Sequence, residues 1–123
     1  MEGLRDAARG GALVYGECGG FMVLGDGLSD ADGVRHAMAG LLRLETSFAE
    51  RRLSLGYRAL KPLAGPWSGP LAAHEFHYST VLRSEGAPLF RAQDSTGATL
   101  QDMGLTDSNV MGSYAHLISP VAE

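Results

Sequence analysis

The segment Ala12-Leu13-Val14-Tyr15-Gly16-Glu17-Cys18-Gly19-Gly20-Phe21-Met22-Val23-Leu24 constrains this chain more than any other. Its first four residues form a short apolar run bounded by glycines, which predicts a strand over Ala12–Tyr15 buried on both faces. Phe21–Leu24 suits the first turns of a helix, stopped by Gly25 and Gly27. Between them stands Gly-x-Cys-x-Gly, the spacing of a nucleophile elbow with Cys in place of Ser. A tight strand-to-helix turn strains the nucleophile's backbone, and flanking glycines let neighbouring chain pass without a clash. Two chemical consequences follow. The positive end of the helix favours a thiolate at Cys18, and the Gly19 N–H points where a tetrahedral oxyanion would form. A free cysteine is more often a small buried hydrophobe, so the elbow alone does not decide the matter.

Composition narrows the alternatives. The chain has 123 residues, 45% hydrophobic and 20% charged, with a net charge of −4. That suits one globular domain and no more. The acidic balance, with no basic cluster beyond Arg51-Arg52, argues against nucleic acid as a partner. No apolar run approaches the roughly 20 residues of a membrane span, and the first residues lack a signal-peptide core, so no membrane partner is expected. A single cysteine and four scattered histidines provide neither a disulfide framework nor a metal site. The expected location is the reducing cytoplasm.

Further along, residues 2–9 read as the tail of a helix closed by Gly10-Gly11. Met38–Leu44, Ser54–Leu60, His74–Leu82, Leu89–Arg91, Thr99–Met103 and Asn109–Tyr114 read as strands, with Pro62–Pro70 as a loop. His36 follows the polar stretch Ser29–Arg35, which reads as loop. The expected class is α/β with a mixed sheet and few helices.

A cysteine nucleophile needs a base, and His36, His74, His77 and His116 are the candidates; spacing does not choose among them. On a strand through residues 74–79, Glu75, His77 and Ser79 share one face. That row lines a pocket, orients a catalytic histidine, or faces solvent.

Tyr15-Gly16-Glu17-Cys18-Gly19-Gly20-Phe21-Met22 resembles the nucleophile segment of the glutamine amidotransferase domain of cobyrinic acid a,c-diamide synthases. Leu55-Gly56-Tyr57-Arg58, His74-Glu75-Phe76-His77-Tyr78-Ser79 and Gly112-Ser113-Tyr114-Ala115-His116-Leu117 resemble later segments of that family, in the same order. Met38-Ala39-Gly40-Leu41-Leu42 and Glu45-Thr46-Ser47-Phe48 are similar to its hydrogenobyrinic acid branch. The likeness runs from about residue 12 to 119.

This resemblance implies a flavodoxin-like class I amidotransferase fold, here truncated on its N-terminal side, with residues 1–123 forming the C-terminal part of the domain. It implies Cys18 as the nucleophile on glutamine, Gly19 as an oxyanion donor and His116 as the base. Glu75, His77 and Ser79 become candidate glutamine contacts, with Glu75 a candidate orienter of His116. It also implies a separate synthetase domain, absent from this chain, that uses ATP and Mg²⁺ to activate the a- and c-carboxylates of cobyrinic or hydrogenobyrinic acid. No cofactor or metal is expected in this chain itself, which lacks a G-x-x-x-x-G-K-[ST] loop. Two departures stand out: Ile118 occupies the place where many amidotransferases carry the orienting Glu, and Ala73 replaces a common Gly. A truncated domain would leave the Ala12–Tyr15 strand with a bare edge, predicting aggregation or a homodimer. The alternative function is a non-catalytic docking module for a synthetase; retention of both Cys18 and His116 argues against it.

Overall fold

A computed structural model describes residues 2–120. In chain order the elements are α1 (Glu2–Arg9), β1 (Val14–Glu17), α2 (Gly19–Leu24), β2 (Gly27–Ser29), β3 (Arg35–Ala37) and β4 (Arg43–Ser47). There follow β5 (Ser54–Pro62), β6 (Leu71–His77), β7 (Thr80–Glu85), β8 (Phe90–Asp94), β9 (Leu105–Asp107), β10 (Val110–Ser113) and β11 (His116–Pro120). The strands form three small sheets ordered β1-β10-β9, β11-β6-β5-β8 and β3-β2-β4-β7. This is a sheet-rich α/β domain with parallel and antiparallel pairs mixed.

The site depends on the parallel pair β1 and β10. Their register sets Gly16 opposite Gly112 and Glu17 opposite Ser113. A Cβ on Gly112 would lie 2.6 Å from the Gly16 carbonyl oxygen, and one on Gly16 would lie 2.7 Å from the Gly20 backbone. Only glycine admits strand, strand and helix start at this spacing. β10 is buried along its whole length and alternates between two apolar clusters. Val110 packs with Val14, Phe21, Leu24 and Leu44, while Met111 packs with Leu60, Leu71, Leu89 and Phe90. Phe21 also meets Tyr114 edge-on, with ring centroids 5.5 Å apart. Such a pair contributes about 0.5–1.5 kcal/mol beyond its buried area.

Ser54–Leu60 and Asn109–Tyr114 match β5 and β10 closely, and the helix over residues 2–9 is α1. Other expectations need correction. The strand expected over Ala12–Tyr15 begins at Val14, with Leu13 exposed; Val14 is buried in one apolar cluster and Tyr15 packs half-buried against the other. Residues 38–42 are irregular rather than a strand. Their amides leave the sheet to satisfy the last carbonyls of α2: Ala39 donates to Val23, and Leu41 and Leu42 to Leu24, each at 2.9 Å. His36 lies on β3, not in a loop.

The strand expected over His74–Leu82 breaks at Tyr78-Ser79, and its halves join different sheets. Ser79 is pulled inward at the break, where its hydroxyl donates to the Tyr114 oxygen at 3.0 Å. Thr99–Met103 makes only isolated bridges, at Gln93↔Thr99 and Phe90↔Met103. The three-residue β2 and β9 carry too little pattern to read, and β11 follows β10 after a two-residue gap.

Gly112→Ala should therefore cost about 1–3 kcal/mol, since backbone must move to admit the methyl group. Gly3→Ala, inside α1 with nothing within 4 Å of the added carbon, should be neutral or mildly stabilising. Urea unfolding of the two variants checks this; equal stability would mean the β1–β10 contact is slack.

Candidate active site

Cys18 sits where β1 ends and α2 begins, with φ 51° and ψ −111°. A non-glycine residue held there stores about 1–3 kcal/mol of backbone strain, and such strain gathers at functional sites. The turn is anchored on both sides. The Cys18 amide donates to the Ser113 carbonyl at 2.9 Å, and the Cys18 carbonyl accepts from Met22 at 3.2 Å. The side chain is half-buried, and Sγ lies 3.9 Å from the Phe76 carbonyl oxygen. Gly19, the next residue, is exposed and has nothing within 4 Å of its absent side chain, so its face of the turn is open.

Cys18 opens onto a cavity of about 460 Å³. Met22, Phe48 and Phe76 provide apolar wall, and Asp30 and Arg51 bring one charge of each sign. Arg51 lies over the Tyr78 ring, 5.0 Å from its centroid. Asp30 accepts from His36 across 2.8 Å. That histidine, together with the Val34 and Asp32 amides, holds the Asp30 carboxyl below the usual range. The volume suits a small amino-acid-sized ligand. A larger hollow of about 800 Å³ over Lys61, Trp67 and Arg91 includes none of Cys18, His77 and His116 and lies apart from this turn.

The sequence-predicted polar row is turned inward. Glu75, His77 and Ser79 are all buried or nearly so, and the opposite face of β6 carries the exposed Phe76. His77 and Ser79 line the Cys18 cavity. Glu75 is held from two sides, by Arg58 Nε at 3.0 Å and His77 Nε2 at 2.6 Å. His77 Nδ1 donates to the Ser79 carbonyl at 3.0 Å, and its ring stacks on Tyr114 at 3.8 Å. Burial alone would raise the Glu75 carboxyl, but the bonds from His77 and Arg58 outweigh it and hold the group below the ordinary value. Burial pushes the Tyr114 hydroxyl up to about 12.

His116 opens β11, directly opposite His74 on β6. Cys18 Sγ meets the same strand two residues further on, at Phe76, so the topology brings the cysteine and this histidine to one stretch of β6. The carboxylate nearest His116 is Glu17, with Oε1 3.7 Å from Nδ1. Glu75, the sequence-stated orienter, has Arg58 and His77 as its partners instead. Glu17 is the residue that sequence reasoning passed over. The signal was an acid immediately before Cys18, at the end of a buried-looking strand. Among the described residues no three His, Cys, Asp or Glu side chains are grouped to hold a metal ion. No helix among them is long and apolar enough to cross a membrane.

The CobB/CobQ-like glutamine amidotransferase domain family matches residues 1–121. A curated protein of Brucella anthropi named hydrogenobyrinate a,c-diamide synthase is 56% identical over 120 residues, 96% of this chain and 28% of its own length. Proteins of the same name from Rhizobium meliloti and Rhodobacter capsulatus are 55% and 53% identical over 118 and 110 residues. Those alignments cover 94% and 86% of this chain, and 27% and 25% of the relatives. The chain thus spans about a quarter of the length of the curated relatives it matches.

Glu75 stays ionised to lower pH in the folded chain than in the unfolded one. Its ion pairs therefore stabilise the fold fully above the ordinary value of 4.5, and that contribution is lost as pH falls through the lowered folded value. Glu75→Gln should lower stability at neutral pH and flatten the acid limb of a stability-against-pH curve. Urea midpoints from neutral to acid pH check it; parallel curves would show that Glu75 contributes nothing through its charge.

Proposed function

We propose, for a chain that belongs to the CobB/CobQ-like glutamine amidotransferase domain family, that it hydrolyses glutamine through Cys18 and passes the ammonia to a corrinoid a,c-diamide synthase reaction. The observation that carries this reading is Cys18 itself: a strained, half-buried thiol at φ 51° on a strand-to-helix turn, opening onto a small mixed-polarity cavity. His116 takes the thiol proton, and the thiolate attacks the side-chain amide carbon. The Gly19 N–H stabilises the oxyanion as the tetrahedral intermediate forms. Collapse expels ammonia, protonated by His116, and leaves a thioester. Water, deprotonated by the same histidine, then releases glutamate. Glutamine lies in the cavity with its amide at Cys18. Arg51 and Asp30 are the groups of the right sign for its α-carboxylate and α-ammonium, and His77 and Ser79 form wall beside them.

The whole protein, in this reading, adds a synthetase domain that activates the corrinoid carboxylates with ATP and Mg²⁺. The relatives' greater length supports that arrangement, as do their names. We read this chain as the C-terminal part of a flavodoxin-like class I domain, supported by the parallel β1–β10 pair leading into α2. An exposed apolar face supports a partner surface: Leu55, Tyr57 and Phe76 share one side of the β5–β6 pair with His74 and His116.

Cys18→Ser should abolish glutamate release from glutamine in a chain that joins this domain to its synthetase, while ammonia-dependent amidation persists. His116→Ala should lower glutamine turnover by about 10²-fold or more, the span of a lost general base. Glutamine-dependent activity surviving in Cys18→Ser would remove the nucleophile assignment and favour a docking module.

The 123-residue chain alone should turn over glutamine poorly. Class I folds draw a second oxyanion N–H from a segment upstream of the nucleophile strand, and one missing donor costs about 10²–10³ in rate. Glutamate release by this chain and by an upstream-extended version compares the two; equal rates would show the site complete as it stands.

A further inference from the structure

We propose that Glu17 is the positioning carboxylate of this site, holding His116 with Nδ1–H toward Glu17 and Nε2 free to take the Cys18 proton. The inference rests on the reading of Cys18 and His116 as nucleophile and base. Strand alternation on β1 turns Gly16 toward Gly20 and Leu24 of α2 and leaves Glu17 on the other face, with Tyr15. One carboxylate oxygen is already fully engaged. Oε2 accepts from the Tyr15 hydroxyl at 2.9 Å and from the Leu117 amide at 2.9 Å. Oε1 is thereby left aimed at His116 Nδ1, at 3.7 Å.

The Leu117 anchor matters because Leu117 follows His116. The same bond that fixes the carboxylate fixes the backbone that carries the imidazole. Tyr15 remains a donor throughout the working range, because burial, then the bond to Glu17, pushes its hydroxyl well above the ordinary value. Among the described residues no other acid is paired with His116: Glu75 is held by Arg58 and His77, and β11 offers Ile118. A separation of 3.7 Å is an ion-pair distance, and catalytic hydrogen bonds are often long before substrate binds. When the ring takes the thiol proton and becomes cationic, Glu17 is the anion it faces. The residue before the nucleophile thus supplies what other amidotransferases draw from beyond the histidine.

A purely structural role for Glu17, stapling β1 to β11, would not set the His116 tautomer, so the tautomer is the test. Proton–nitrogen spectra of the isotope-labelled chain in mildly alkaline buffer distinguish Nδ1–H from Nε2–H. The expected wild-type form is Nδ1–H; Nε2–H in the wild type overturns the proposal without any variant. In Glu17→Gln the amide offers an N–H to Nδ1, and the tautomer should move toward Nε2–H. Alkylation of Cys18 by a glutamine-mimicking diazo ketone should then slow about tenfold or more at saturation, with the half-saturating concentration little changed. Tyr15→Phe, which releases one anchor, should slow it less. Glu17→Gln that folds and leaves both tautomer and rate unchanged overturns the proposal. Absence of Cys18 labelling in a wild-type chain extended upstream and joined to its synthetase would remove the glutaminase reading, while the wild-type tautomer would still decide the part played by Glu17.

Discussion

The contact between Gly16 and Gly112 underlies the rest of this molecule. Two parallel strands and the start of a helix meet where any side chain would collide with backbone. Because they meet so closely, the chain must leave β1 in a sharp turn, and the residue at that turn is Cys18. The Ser113 carbonyl then holds the Cys18 amide, so the strain at the cysteine is supported by the strand beside it. Strain of this kind persists only where neighbouring structure over-determines it. Here a strand pair, a helix start and a buried β10 all do so.

β10 is also the element through which the two apolar clusters share one strand. Its alternate side chains enter opposite clusters, and the chain beyond it delivers Tyr114 to one and Ala115 to the other. His116 emerges immediately afterwards at the edge of β6. The backbone of the histidine is thus placed by the burial of the residues before it, together with the pairing of β11 on β6. Tyr114 carries the polar network inward. Its hydroxyl accepts from Ser79 and its ring supports His77, which binds Glu75, which in turn binds Arg58. That chain of partners rigidifies the wall of the cavity onto which Cys18 opens, and rigid walls let a small site hold substrate in one pose.

The two acids near the site have divided roles for a physical reason. Glu75 lies on the inward face of β6, within reach of a guanidinium and an imidazole, and its two oxygens are both taken. Glu17 lies at the end of an outer strand, where one oxygen is tied by Tyr15 and Leu117 and the other looks toward His116. Both are acids on strands, and composition does not separate them. Their neighbours across the sheet do.

What the sequence determined by itself was local. Glycines around a cysteine after an apolar run dictate a strained turn, and the turn is there, with Cys18 at positive φ. Alternation put Glu75 and His77 on one face of a strand, and they share it. The helix over residues 2–9 and the strands β5 and β10 were legible because their patterns are long or continuous enough to read. Tertiary structure decided the rest. Residues 38–42 read as a strand, yet they spend their amides on the open carbonyls of α2, a demand invisible without the helix beside them. The run from His74 to Leu82 has strand formers throughout, yet it breaks where Ser79 finds the Tyr114 hydroxyl, a partner 35 residues away in sequence. The same holds for Glu17 and His116, which lie far apart along the chain and meet only because β1 pairs with β10 and β11 pairs with β6. Propensity and spacing act over a few residues. The partners that complete a site are chosen by which strands lie side by side.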